Sequence, residues 1–217
     1  MTKGLKLGFV IVIGGIIMTL LSGCDKRNSR EWLENKVSEV SRVYPTENLF
    51  ELFEEFPDGF SIVQSRFTEH GVIKITMIGD STTRTINGNL VETEKNKEIT
   101  NITIAYEDNK FIFSDEAKAK ELWPVQRFLF QDLSINKKIL ADLKMQSKSF
   151  SFQNGDFDIK YEINNHLVND YLKTIDGTPN LPLEIHGSNS NKGYYYSVVF
   201  ENHKGFSFSE RVSDGKN

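Results

Sequence analysis

Few residues of this chain could do chemistry. Its only cysteine is Cys24, and its four histidines, His70, His166, His186 and His203, stand far apart. A thiol can be alkylated, bridged or metallated, but a bridge needs a second cysteine and a structural zinc site needs several closely spaced ligands. No His-x-x-x-His or glutamate-containing zinc pattern surrounds the histidines, so they read as surface or turn residues. Asn154-Gly155-Asp156-Phe157-Asp158 begins like a calcium loop, then places Ile159 where glycine is required and Asn165 where the bidentate glutamate belongs. A hairpin turn accounts for it better. Gly187-Ser188-Asn189-Ser190-Asn191 lacks the Gly-x-Ser-x-Gly spacing that mounts a nucleophilic serine on a strained turn. No glycine loop that could cradle phosphate occurs. The expectation is no catalytic residue, no metal and no cofactor, hence no enzyme.

Cys24 gains a role from what precedes it. Lys3 and Lys6 make a short basic start, Gly8–Leu21 carries no charge, and Leu21-Ser22-Gly23 lead into the cysteine. That is the layout of a secretory signal, with an apolar run short of the roughly 20 residues of a membrane span. Leu-Ser-Gly-Cys resembles the bacterial lipobox, where the thiol receives a diacylglyceryl group and the chain is cut just before it. Ser22 and Gly23 have little bulk, so extended backbone can reach a protease beside the modified thiol. The expected organisation is a cleaved lipoprotein signal peptide over 1–23, lipidated Cys24 with a short tether over 24–29, and one extracytoplasmic domain over 30–217. Two acyl chains hold a protein at the cell membrane where one is marginal.

Composition narrows the partners. The full chain has a formal charge of −4, and removing Lys3 and Lys6 makes the remainder more acidic. Such a protein is not expected to bind nucleic acid or to be held on anionic lipid by its overall charge. Sixteen phenylalanines, seven tyrosines and two tryptophans supply a core without any disulfide.

The elements follow from periodicity. Asn28 with Glu31 predicts a capping box, and Leu33, Val37, Val40 and Tyr44 a helix stopped by Pro45. Thr46 is placed to cap a second short helix carrying Leu49, Phe50, Phe53 and Phe56 inward. From Phe60 the period is two: strands are expected over 60–67 and 72–78, and a hairpin at Asn87-Gly88 joining 83–86 to 90–93. Two more, over 99–106 and 110–113, turn at Asp108-Asn109. A helical region from Ser114 or Asp115, interrupted by Pro124, buries Val125, Phe128, Leu129, Leu133, Ile139, Leu140 and Leu143. Strands at 150–152 and 157–163, a helix from Asn165 or His166 closed by Gly177, and strands at 183–185, 194–200 and 206–212 complete the chain. The fold class is α+β, an antiparallel β meander with packed helices, since the connections are too short for parallel crossovers.

Tyr44-Pro45-Thr46-Glu47-Asn48-Leu49, Thr83-Arg84-Thr85 followed by Gly88, Glu107-Asp108-Asn109-Lys110, Lys160-Tyr161-Glu162-Ile163, Leu181-Pro182-Leu183 with Gly187, and Gly193-Tyr194 recur in one order. In that order and spacing the chain resembles the staphylococcal tandem-type lipoproteins, from the signal peptide almost to the end. It departs where Glu184 and His186 stand in place of basic residues. The resemblance implies a membrane-anchored, non-catalytic surface lipoprotein active in immune stimulation and host-cell entry, with host surface proteins as partners. A solute-binding lipoprotein of a transporter and an anchored hydrolase are the competing readings. Two smaller expectations are that Tyr194-Tyr195-Tyr196 buries one face of a strand, and that Arg84 pairs across strands with Glu92 or Glu94.

Overall fold

Period-two alternation becomes one antiparallel sheet of ten strands in the computed structural model, which describes residues 26–69, 71–188, 193–202 and 204–215. The strands are β1 (Phe60–Thr68), β2 (Gly71–Asp80), β3 (Thr85–Glu94), β4 (Lys97–Glu107), β5 (Lys110–Phe113), β6 (Lys144–Phe150), β7 (Asp156–Glu162), β8 (Leu183–Ser188), β9 (Tyr195–Glu201) and β10 (Ser207–Asp214). Their order is β5-β4-β3-β2-β1-β10-β9-β8-β7-β6. Two meanders thus meet at β1 and β10, paired from Phe60↔Asp214 to Phe67↔Ser207.

Among the described residues five α-helices accompany the sheet: α1 (Arg30–Val37), α2 (Leu52–Glu55), α3 (Glu116–Leu122), α4 (Lys137–Asp142) and α5 (His166–Thr174). They pack on one sheet face through aromatic contacts such as Trp32–Phe157, Phe53–Phe60, Phe111–Trp123 and Tyr171–Phe208. Alternation sets which strand residues meet them. Phe60 and Ile62 on β1, Ile102, Ile104 and Tyr106 on β4, and Tyr196, Val198 and Phe200 on β9 are buried. Their neighbours in sequence point to the open face. The tyrosine triplet obeys this rule, with Tyr194 and Tyr196 buried and Tyr195 exposed.

Local chemistry overrides several expectations. The α1 cap is Ser29, whose Oγ accepts from the Trp32 N–H, and not Asn28. Asn28 is engaged elsewhere, its oxygens taken by the Lys148 ammonium. Thr46 caps nothing; its hydroxyl donates to the Val43 carbonyl, and Asn48 caps the next turn by accepting from Phe50 N–H at 3.0 Å. The segment after Pro124 is mostly irregular. α3 already ends at Leu122, a 3-10 turn follows at Leu129–Gln131, and only α4 is helical. Phe128, Leu129, Leu133 and Leu140 are buried there, while Ile139 is exposed.

The hairpin expected at Asn87-Gly88 does not form. β3 runs straight through it, and the turns lie at 81–84 and at Lys95-Asn96. Lys95 (φ 49°) and Asn96 (φ 63°) adopt the left-handed pair that a tight hairpin demands, as do Asp108 (φ 49°) and Asn109 (φ 62°) at the turn expected there. Gly88 serves close approach instead of a turn. A Cβ on Gly88 would collide with the Thr76 carbonyl and the Met77 sulfur on β2. Gly88→Ala is therefore expected to lower unfolding free energy by about 3 kcal/mol, since backbone cannot yield as a side chain can. Urea titration measures this; a loss under about 0.5 kcal/mol contradicts the packing.

Candidate functional site

Cys24 and the signal peptide expected over 1–23 lie outside the described residues. The described chain begins just after them, at a 3-10 turn over Lys26–Asn28. The turn is docked on β6. The Arg27 guanidinium lies 5.5 Å from the Phe150 ring centre and 5.3 Å from that of Phe152, and Lys148 donates to Asn28. Of the tether expected over 24–29, the part from Lys26 is thus fastened to the fold.

The other residues selected from sequence stay apart. His70 and His203 lie outside the described residues. His166 Nδ1 stands 3.0 Å from Asp170 on its own helix, and His186 Nε2 3.4 Å from Glu184 on its own strand. Among the described residues no group of histidine, cysteine and carboxylates is arranged to hold a metal. Asn154–Asp156 form the β6–β7 turn, with the Asn154 side chain accepting from Asp156 N–H at 3.1 Å. Arg84 does not meet Glu92 or Glu94. It sits at φ 55° in the β2–β3 turn and stacks on Phe53 at 4.6 Å; Glu92 instead accepts from Thr100 and pairs with Lys118.

Sequence reading missed the most unusual group, Glu210. It is fully buried in mid-sheet on β10, opposite Gln64 on β1. Its Oε1 accepts from Tyr44 Oη at 3.0 Å and Phe130 N at 2.8 Å; its Oε2 accepts from Gln64 Nε2 and Leu129 N, both at 2.8 Å. Gln64 also donates to Tyr171 Oη at 2.9 Å, and Tyr171 donates to the Arg127 carbonyl at 2.8 Å. Burial pushes the Glu210 carboxyl up to about 7 despite the donors that oppose it. Burial and the nearby carboxylate also raise Tyr44 well above an ordinary phenol. The node is sealed by packing, so its arrangement suits structure better than substrate. Nearby Arg66 donates to the Ile175 carbonyl at 3.0 Å and the Leu122 carbonyl at 3.1 Å, holding the ends of α5 and α3 together.

Two larger concavities remain. One of about 680 Å³ is lined by Arg66, Glu69, Glu92, Glu94, Glu121 and Asp176 among others. Its carboxylates outnumber its cations. The other, about 840 Å³, lies on the open face of β6–β9. There Ser149, Asp158, His186 and Ser197 occupy successive register positions across four strands. The row has the residue types of a nucleophilic relay but a different bonding. Ser149 donates to Asp158 at 2.5 Å, and His186 turns to Glu184. A relay needs histidine bonded to both serine and carboxylate.

No protein-family model matches the chain, and no curated protein matches its sequence. Among solved structures, LprF from Mycobacterium bovis aligns with TM-score 0.41 and 8% identity, over 82% of this chain and 90% of that one. The lipoprotein LppX from Mycobacterium tuberculosis aligns with TM-score 0.32 and 10% identity, over 70% and 83%. Scores this low support no functional transfer.

The Glu210 node has a pH signature. Its folded value of about 7 lies above the ordinary 4.5, so the native state holds this proton more tightly than the unfolded chain does. That contribution to stability is complete below about 4.5 and lost as pH rises through about 7, on the order of 3 kcal/mol in all. Urea unfolding at pH 5 and pH 8 is expected to show a larger loss for the native protein than for Glu210→Gln; equal losses contradict it.

Proposed function

We propose that this chain is a bacterial surface lipoprotein held in the cell membrane by acylated Cys24, related to the staphylococcal tandem-type family. The observation that carries this reading is Leu21-Ser22-Gly23-Cys24 at the end of an uncharged run with basic residues before it. One feature supports it: the docked turn starts two residues after the cysteine, so the fold lies close to the proposed attachment point. The domain over 30–217 works without catalysis, through contacts with other proteins, host surface proteins being the partners the family resemblance suggests. The Asp158–His186 row, lacking relay bonding, favours this over an anchored hydrolase.

Mass spectrometry of detergent-extracted protein is expected to find a mature chain beginning at diacylglyceryl-modified Cys24. A peptide retaining Met1, or an unmodified Cys24 thiol, contradicts the anchor. The host role divides by end of the molecule: Cys24→Ala should abolish immune stimulation by the full chain, because acyl chains are what a lipid-sensing receptor buries. Undiminished stimulation contradicts that division.

A further inference from the structure

We infer that the β6–β7 turn is a membrane-contacting tip, in which Phe152 enters the interface of the bilayer that holds Cys24. The inference rests on the lipoprotein reading and adds an orientation to it. Phe152 is 58% exposed, the most exposed large apolar side chain among the described residues. It projects just past the end of edge strand β6, edge-on against Phe150 at 5.0 Å and beneath the Arg27 guanidinium at 5.3 Å. An aromatic ring capped by a cation, at a turn, is the pairing that suits a headgroup layer.

Covalent distance supplies the occupant. Between Cys24 and Lys26 stands one residue, Asp25. Two residues of chain span at most about 7 Å. The acylated cysteine must therefore lie next to the Lys26–Asn28 turn, which Arg27 and Lys148 clamp to β6. The length of that link limits how far the turn can stand from the lipid. The surroundings of that turn are proposed to face the bilayer: Phe152 with Lys26 and Lys148, cations that complement anionic phospholipid, beside the single carboxylate Asp156 of the β6–β7 turn. The acidic balance of the whole chain does not oppose this, because headgroup attraction acts within about a Debye length. On this geometry β6 lies at the membrane and β5, at the far edge of the sheet, points away from it.

The cysteine count makes the test direct. With Cys24 acylated, Phe152→Cys creates the only free thiol, and Ile112→Cys on β5, where the native side chain is 50% exposed, serves as the distal control. Each acylated full-length protein is labelled with a nitroxide and reconstituted into vesicles of equal phosphatidylglycerol and phosphatidylcholine. Collision with oxygen and with an aqueous nickel chelate is then measured. The nitroxide at 152 is expected to favour oxygen over the chelate several-fold more than the one at 112. Equal chelate access at the two positions, with acylation confirmed by mass, overturns the tip and leaves the anchor standing. An unmodified Cys24 overturns both. Phe152→Trp provides a second readout: its added fluorescence should be quenched by brominated lipid, and unquenched emission counts against the inference.

Discussion

Four hydrogen bonds to one buried carboxylate bring together parts of this fold that are distant in sequence, and the Thr46 N–H to Phe130 carbonyl and Gln131 to Glu47 carbonyl bonds reinforce the same junction. Glu210 draws its donors from the turn before Pro45, from β1, and from the irregular segment around Leu129 and Phe130. Through Gln64 and Tyr171 the network reaches α5. A buried ionisable group without partners costs several kcal/mol, so these donors are a condition of the fold and not an addition to it. Three of them, Gln64 Nε2 and the two backbone N–H groups, can only donate; a proton on Glu210 has the Tyr44 hydroxyl as its one accepting partner in the group. Glu210 sits where it matters, at the β1–β10 seam between the two meanders, which are made separately by local hairpins. The seam is the long-range contact on which the single sheet depends.

The same constraint explains the segment after Pro124. Leu129 and Phe130 spend their backbone N–H groups on Glu210, so this stretch cannot also continue a helical ladder. Phe128 and Phe130 stack at 5.4 Å, and Phe128 meets Phe111 of β5 at 5.8 Å, covering the first meander with aromatic rings instead of a regular helix. At the two ends of the sheet, unpaired strand edges are managed differently. β5 is only four residues long. β6 carries Lys144 and Lys148 and receives the amino-terminal turn. The β6 edge is thereby covered by chain as well as charged.

Strand positions were legible because alternation is a local signal; β1, β7, β9 and β10 fall within a residue or two of their expected ends. Asn87-Gly88 misled because the dipeptide has two uses, a left-handed turn or a close approach between strands, and only the Thr76 and Met77 contacts decide. The helix caps shifted by one or two residues because Asn28 and Thr46 found other partners. Glu210 could not be found by periodicity. It stands on the buried face between Phe208 and Val212, and only that alternation, which places a charge where β10 requires an apolar residue, signals it. The proposed anchor is the reverse case, since its signal at Leu21–Cys24 is carried by the sequence alone and lies outside the described residues.

The claim that Glu210 joins the layers is tested most directly by native-state hydrogen exchange at Leu129 and Phe130. Both amides lie outside the strands, in a segment whose regular structure is one short 3-10 turn. If the carboxylate holds them, they exchange only on global unfolding, with protection equal to that of the Gln64 and Glu210 amides in the β1–β10 seam. Exchange of Leu129 and Phe130 at rates typical of an open loop, while the seam stays protected, contradicts the account.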